Sequence, residues 1–150
     1  MDTLGVIVAA GLILYLLSNR QELFGDVLPV SDSGGASPPP PVVTSDVVSR
    51  LSEAIARAEG FYVSGSIPQR QNNPGDLTAG GTIMTFATAA DGWNALHDQV
   101  AAMFDGRSAY YNPSMTLAQV GAIYAGGDPN WAINVANALA VSPNTTLSDL

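Results

Sequence analysis

The sequence predicts a mainly helical α+β fold with one short β-hairpin, preceded by a single transmembrane helix. Three observations lead to this class. Four segments after residue 45 carry helical apolar spacing or helix-capping residues. A glycine pair, Gly80-Gly81, stands between two short runs that suit β-strands. The first 24 residues are mostly apolar.

Residues 4–17 (LGVIVAAGLILYLL) lie within an uncharged stretch that runs from Thr3 to Asn19. A bilayer span needs roughly 17–25 residues, so this stretch has about the minimum length. A signal peptide would begin with basic residues and end at a small-residue cleavage site, but this start carries Asp2 and no such site follows. We therefore predict an uncleaved anchor over residues 1–24, in contact with membrane lipid. A cleaved signal and a buried helix are the alternatives.

Residues 25–45 are rich in Pro, Gly and Ser and include four consecutive prolines. The prolines exclude a helix and favour an extended polyproline conformation, whereas the Ser-Gly part favours flexibility. Twenty such residues reach about 60 Å at roughly 3 Å per residue. We interpret this segment as a tether between the anchor and a folded domain over residues 46–150.

The folded domain is predicted to begin with a helix that Ser45 caps and Gly60 ends. The apolar stripe of this helix comprises Val48, Leu51, Ile55 and Ala58. Turn-forming residues fill 64–81 and lead into the hairpin, which turns at the glycine pair. Three further helices are predicted, over residues 89–104, 116–124 and 128–139.

The composition excludes several classes of function. The net charge is −8, the five basic residues are all Arg, and they do not cluster, so the chain has no electrostatic footprint for nucleic acid. The absence of Cys excludes disulfides and Cys-ligated metal centres. The single His, His97, argues against a His-rich metal site. We expect no metal, no cofactor and no nucleic-acid partner.

Glu59 is the candidate for chemistry. It lies at the C-terminal end of the first predicted helix, where the negative end of the helix dipole disfavours ionisation. Its neighbours Ile55, Phe61 and Tyr62 are apolar or aromatic, and desolvation raises the pKa of a carboxyl group. A Glu in this position can remain protonated near neutral pH and act as a general acid. The alternative is a surface Glu at a helix end.

Several segments together resemble a bacterial and bacteriophage lysozyme-like family, over about residues 49–150. A helix that ends in Glu-Gly-Phe is followed by an Arg-x-Asn-Asn-Pro-Gly element and then by a Phe-x-Thr-x-x-x-Gly-Trp segment. The matching stretches here are residues 54–62 (AIARAEGFY), 70–77 (RQNNPGDL) and 85–93 (TFATAADGW). The chain is also similar to the wider group of lytic transglycosylases and flagellar-type glucosaminidases.

The resemblance implies roles for individual residues. Glu59 matches the family's catalytic acid, and Tyr124 matches the tyrosine near it in the cleft. Asn72 and Asn73 match the turn beneath the glycan cleft, and with Asp76 and Tyr124 they are the predicted substrate-binding residues. The family usually has Asn at the position of Asp76, which is therefore either a neutral replacement or an added carboxylate. A plain tight turn is the alternative for residues 72–76.

Most glycosidases use two carboxyl groups, and the candidates for a second one are Asp76, Asp91 and Asp128. No motif marks any of them. In the lytic transglycosylases that the sequence resembles, one Glu protonates the glycosidic oxygen and later removes the C6 hydroxyl proton, which closes a 1,6-anhydro ring. We therefore favour non-hydrolytic cleavage over hydrolysis.

The expected function is a membrane-tethered, peptidoglycan-cleaving glycosidase, either a lytic transglycosylase or a muramidase, that cuts the MurNAc–GlcNAc strand. We expect phage or bacterial origin, as a virion, lysis or entry enzyme. The catalytic domain would face the periplasm or cell wall, or belong to a virion membrane. Arg20, placed after the span, favours the opposite orientation, and the two indications conflict. The alternative is an inactive, membrane-anchored structural or glycan-binding protein with this fold. Trp93 and Trp131 are interpreted as core residues, and a platform for sugar rings is the alternative.

Deletion of residues 1–43 is expected to give a soluble and active domain, because the Pro-rich tether marks the boundary of the fold. Circular dichroism, gel filtration and cell-wall zymography of the truncated protein measure this. An insoluble or unfolded product would mean that the apolar segment packs into the domain.

Overall fold

The computed structural model describes residues 45–150, which form five α-helices, a two-stranded sheet and a final 3₁₀ turn. The elements are α1 (Ser45–Ala58), α2 (Ile67–Arg70), β1 (Thr78–Ala79), β2 (Thr82–Ile83), α3 (Ala89–Asp105), α4 (Leu117–Tyr124), α5 (Pro129–Leu139) and the 3₁₀ turn Leu147–Asp149. The mainly helical α+β class is confirmed. The predicted anchor and all but the last residue of the predicted tether lie outside the described residues. Within residues 45–150, no helix combines the length and apolarity needed to cross a membrane.

Helix α1 supplies the centre of the core. Leu51 and Ile55 from its apolar stripe are buried, and the helix packs against both α5 and α3. Burial of each side chain of this size contributes about 1.5–3 kcal/mol. Ser45, predicted as the N-cap, is the first residue of the helix in the structure. The packing of α1 against α5 brings the end of one helix close to the start of the other, which determines where the site forms.

Side-chain caps start the later helices at the polar residues that precede each apolar run. Thr88 accepts a hydrogen bond from the Asp91 N–H, and the Asp91 carboxylate accepts one from the Thr88 N–H at the start of α3. Thr116 and Gln119 form the same reciprocal pair at the start of α4. Each cap of this kind contributes about 1 kcal/mol and fixes where the chain enters the helix.

The predicted short hairpin is present, and a short helix that was not predicted precedes it. Strands β1 and β2 pair antiparallel over two residues each, and Gly80 and Gly81 both have positive φ, as a tight two-residue turn requires. Helix α2 lies in the segment predicted to be loop, where the Ser66 side chain caps the Gln69 N–H. Four residues are too few to show an apolar period, so the sequence pattern could not reveal this helix.

Candidate active site

Glu59 lies one residue beyond the end of α1. Its N–H donates to the Ile55 carbonyl at 2.9 Å, which continues the helical pattern by one residue. Gly60 then turns the chain away with a φ of 75°, a left-handed conformation that glycine adopts without strain. The carboxyl group is thus held at the C-terminal end of α1, at the position that the sequence predicts.

A cavity of about 290 Å³ opens beside this carboxyl group. It is formed where the end of α1, the turn before the hairpin, the end of α4 and the start of α5 meet. The lining residues are Ala58, Glu59, Asp76, Tyr124, Ala125, Asp128, Trp131 and Asn134. The structure therefore brings together three of the predicted site residues: Glu59, Asp76 and Tyr124.

Trp131 makes the closest polar contact with Glu59. Its indole N–H donates to Glu59 Oε1 over 2.6 Å, between residues 72 positions apart in the chain. The indole is 4% exposed and stacks on the Tyr124 ring, with 5.0 Å between centroids and 26° between planes. Trp131 is thus a core residue, as predicted, and its one polar group is directed at the candidate acid.

The pKa of Glu59 is raised from 4.5 to about 7, and burial is the largest cause. The Trp131 hydrogen bond acts in the opposite direction, because it stabilises the ionised form. The negative charges of Asp76 and Asp128 also act to raise the pKa, each by less than burial does. The predicted direction of the pKa shift is confirmed. One of the sequence neighbours expected to surround Glu59 lies elsewhere: Tyr62 is exposed and donates to Glu53, outside the cavity lining.

Asp76 directs a second carboxyl group into the cavity. Its backbone has a φ of 46°, a conformation that Asp and Asn adopt more readily than other side chains. Burial raises the pKa of its carboxyl group. Atom Oδ1 is buried and has no hydrogen-bond partner among the described residues. The lack of a donor favours the protonated form of this carboxyl group, in the same direction as burial.

Asn73 supports the turn from below. Its fully buried side chain donates to the carbonyls of Leu77 and Met84, both at 2.9 Å, and accepts from the Leu77 N–H at 2.8 Å. Asn72 donates to the Phe86 carbonyl at 3.0 Å. Neither side chain lines the cavity. The structure gives both residues a positioning role, and their predicted contact with substrate stays a prediction.

Tyr124 is fixed by the same turn. Its hydroxyl donates to the Gly75 carbonyl at 2.6 Å, and burial raises its pKa well above the usual range. A Cβ atom at position 75 would lie 2.7 Å from Leu96 Cδ1 and 2.9 Å from the Tyr124 hydroxyl oxygen, so any larger residue there would have to displace these side chains. The tyrosine therefore contributes its ring to the cavity, while its hydroxyl anchors the turn.

Sequence reasoning did not assign Trp131 or Asn134 to the site, and it named Asp128 only as one of three candidates for a second carboxyl group that no motif marks. In the structure Asp128 lines the cavity and also caps α5: its Oδ1 accepts from the Asn130 N–H at 2.9 Å. Trp131 and Asn134 are three residues apart on α5 and share one face of the helix. This spacing was the signal in the sequence that could have linked the two residues. The sequence does not show which other elements pack against their shared face.

The described arginines do not reach the cavity. Each contacts a group within five residues of itself: the contacts are Arg50–Asp46, Arg57–Glu53, Arg107–Asp105 and Arg70 with the Gly65 carbonyl. The cavity lining consequently contains three carboxyl groups and no cationic side chain. This arrangement favours protonation of one carboxyl group rather than the binding of an anion.

No protein-family model matches the chain, and no curated protein or solved structure matches it. Within residues 45–150, no group of three or more His, Asp or Glu side chains is arranged to hold a metal ion.

The replacement Glu59→Gln is expected to change the pH dependence of stability. The folded-state pKa of about 7 lies above the ordinary glutamate value of 4.5, which applies to the unfolded chain, so the wild type loses stability as pH rises through this window. Glutamine does not ionise and can still accept from Trp131. From about pH 4 to about pH 8, the free energy of unfolding of the wild type should fall by up to about 3 kcal/mol relative to the variant. Urea unfolding at several pH values measures this, and a constant difference would contradict it.

Proposed function

We propose that this protein is a peptidoglycan-cleaving glycosidase in which Glu59 is the general acid. The observation that carries the proposal is a carboxyl group with a pKa of about 7, buried at one side of an open cavity and hydrogen-bonded by a neutral donor. A pKa near the working pH combines a large protonated fraction with ready proton transfer, which is what general acid catalysis requires.

The cavity supports glycoside chemistry in two further respects. Tyr124 and Trp131 stack on each other in the wall of the cavity, and the aromatic edges that reach the lining suit apolar contact with a sugar ring. The Asp76 and Asp128 carboxylates can stabilise the positive charge that develops at the anomeric carbon as the bond breaks. The choice of peptidoglycan rests on the sequence segments that resemble the lysozyme-like family.

The N-terminal sequence supports a location at a membrane. An apolar anchor followed by a tether of about 60 Å would let the domain reach a polymer that lies near a membrane. The same anchor would keep the domain from diffusing away. We propose that the domain faces the cell wall or periplasm, or belongs to a phage virion membrane. The non-catalytic alternative is a glycan-binding protein, for which a carboxyl group held above its usual pKa has no evident use.

The variant Glu59→Gln is expected to lose wall cleavage by at least about 100-fold, since general acids contribute roughly 10²–10⁴ to the rate. Zymography and release of soluble muropeptides by the full chain measure this, with circular dichroism to establish that the fold is intact. The matched control is Glu53→Gln, on the same helix but outside the cavity, which should retain activity. A folded Glu59→Gln variant with wild-type activity would refute the assignment.

Two reaction types fit a site with Glu59 as the acid. A lytic transglycosylase needs one protein carboxyl group, because the C6 hydroxyl of the substrate acts as the nucleophile, and we retain this reaction as the favoured one. The second candidate is a muramidase that uses a water molecule. It is favoured by one observation: Asp76 supplies a second carboxyl group to the lining of the same cavity, and its carboxylate could accept a proton from that water.

Mass spectrometry of the digested wall is expected to show 1,6-anhydro ends, which are lighter than reducing ends by one water. The variant Asp76→Asn, which has nearly the same shape and tolerates positive φ, should then still cleave the wall and give anhydro ends, with its rate lowered only by the loss of one of the two charge-stabilising carboxylates. Reducing ends alone, together with loss of activity in Asp76→Asn, would establish the two-carboxylate hydrolase instead.

A further inference from the structure

The Trp131 indole lines the cavity and donates its N–H to Glu59 Oε1, a contact to which the reaction described above assigns no step. We propose that Trp131 is a positioning residue that occupies Glu59 Oε1 with its indole N–H and thereby leaves the acidic proton on Oε2, the oxygen that transfers it. The inference deepens the proposed function and rests on it only for its activity readout.

The geometry of the hydrogen bond indicates which oxygen carries the proton. In a protonated carboxyl group, the carbonyl oxygen is the better acceptor and the hydroxyl oxygen is the donor. Trp131 Nε1 is 2.6 Å from Oε1, and an indole nitrogen can only donate. Oε1 is therefore the carbonyl oxygen of the acid, and the proton resides on Oε2. A carboxyl group without this partner could exchange the roles of its two oxygens by rotation.

Contacts on several sides prevent the indole from moving. Asp128 and the proline that follows it start α5, which places Trp131 in the first turn of the helix. One face of the indole stacks on the Tyr124 ring. Gly121 of α4 lies so close that a Cβ atom there would be 2.8 Å from Trp131 Cε3. Tyr124 is itself held by the Gly75 carbonyl. A donor fixed in this way holds the carboxyl group before substrate arrives, which is the preorganisation that catalysis requires.

Trp131 also opposes the other influences on Glu59. The titratable groups that face this carboxyl group are Asp76 in the turn, Tyr124 on α4 and Asp128 at the start of α5. The two carboxylates and burial favour the protonated form, whereas the indole N–H favours the ionised form. Removal of the N–H alone, with the ring kept in place, should therefore raise the pKa of Glu59. A tryptophan that contributed only packing would leave this pKa unchanged, because the ring remains.

The test removes the N–H while the ring remains. Trp131 is replaced by 3-benzothienylalanine, in which sulfur takes the place of the N–H, and Trp131→Phe serves as a second variant. The chain contains only three Glu residues, at positions 22, 53 and 59, so glutamate labelled with ¹³C at the side-chain carboxyl gives three signals. Glu59→Gln assigns the signal of Glu59. The titration uses the full chain in detergent and needs no substrate.

We expect the pKa of Glu59 to rise by about one pH unit or more when the N–H is absent, as the loss of a hydrogen bond to a charged group implies. The rate of wall cleavage at neutral pH should fall by about tenfold or more, and the alkaline limb of the pH–rate profile should move upward by the same amount as the pKa. The matched control is 3-benzothienylalanine at Trp93, whose ring packs on Phe61 and His97 away from the cavity lining; it should leave the Glu59 titration unchanged.

The outcomes separate this inference from the proposed function. If the pKa of Glu59 is the same with and without the indole N–H, the positioning role is refuted even if activity falls. If the pKa rises but the wild type cleaves no wall, the hydrogen bond is as inferred and the proposed function fails. If the pKa rises and the cleavage rate does not change, Trp131 does not position the acid for transfer, and the inference is overturned.

Discussion

The hydrogen bond from Trp131 to Glu59 joins the end of α1 to the start of α5, and the arrangement of the cavity depends on it. Both groups are largely removed from water, and a buried polar group without a partner costs about 1–3 kcal/mol. The pairing satisfies the indole and half of the carboxyl group at once. It requires the two helix ends to meet, α4 to support the indole from behind, and the turn before the hairpin to hold Tyr124 in place.

The surroundings of Glu59 raise the pKa of its carboxyl group at a cost to the stability of the folded domain. Burial and two neighbouring carboxylates act against ionisation, and no described arginine lies near enough to offset them. The indole N–H partly offsets this rise in the pKa of Glu59 without supplying a positive charge. A cation at the position of Trp131 would satisfy the carboxyl group more strongly, but it would hold the pKa low and leave no proton to transfer. A neutral donor satisfies one oxygen and preserves the acid.

The turn over residues 72–76 acts mainly through its backbone. Asn73 closes it with three buried hydrogen bonds, and Asn72 ties it to the segment after the hairpin. As a result, the Gly75 carbonyl meets the Tyr124 hydroxyl, and Asp76 enters the cavity with an unusual backbone conformation. The motif is thus a support that places two other residues, which explains why it contains residues typical of tight turns rather than of ligand binding.

The sequence by itself determined the helical class, the glycine-paired hairpin, the approximate bounds of the longer helices and the position of Glu59 at the end of α1. These features depend on residues within a few positions of one another, through apolar spacing, capping and turn conformation. It also identified the Asn-Asn-Pro-Gly turn, although not the direction of its side chains. Only the tertiary structure decided that Trp131 contacts Glu59, that Asp76 and Asp128 share their cavity, and that Tyr124 uses its hydroxyl to anchor Gly75. These contacts join residues 49 to 72 positions apart or come from separate elements, and they depend on how the helices pack, which the local pattern of a single segment does not encode.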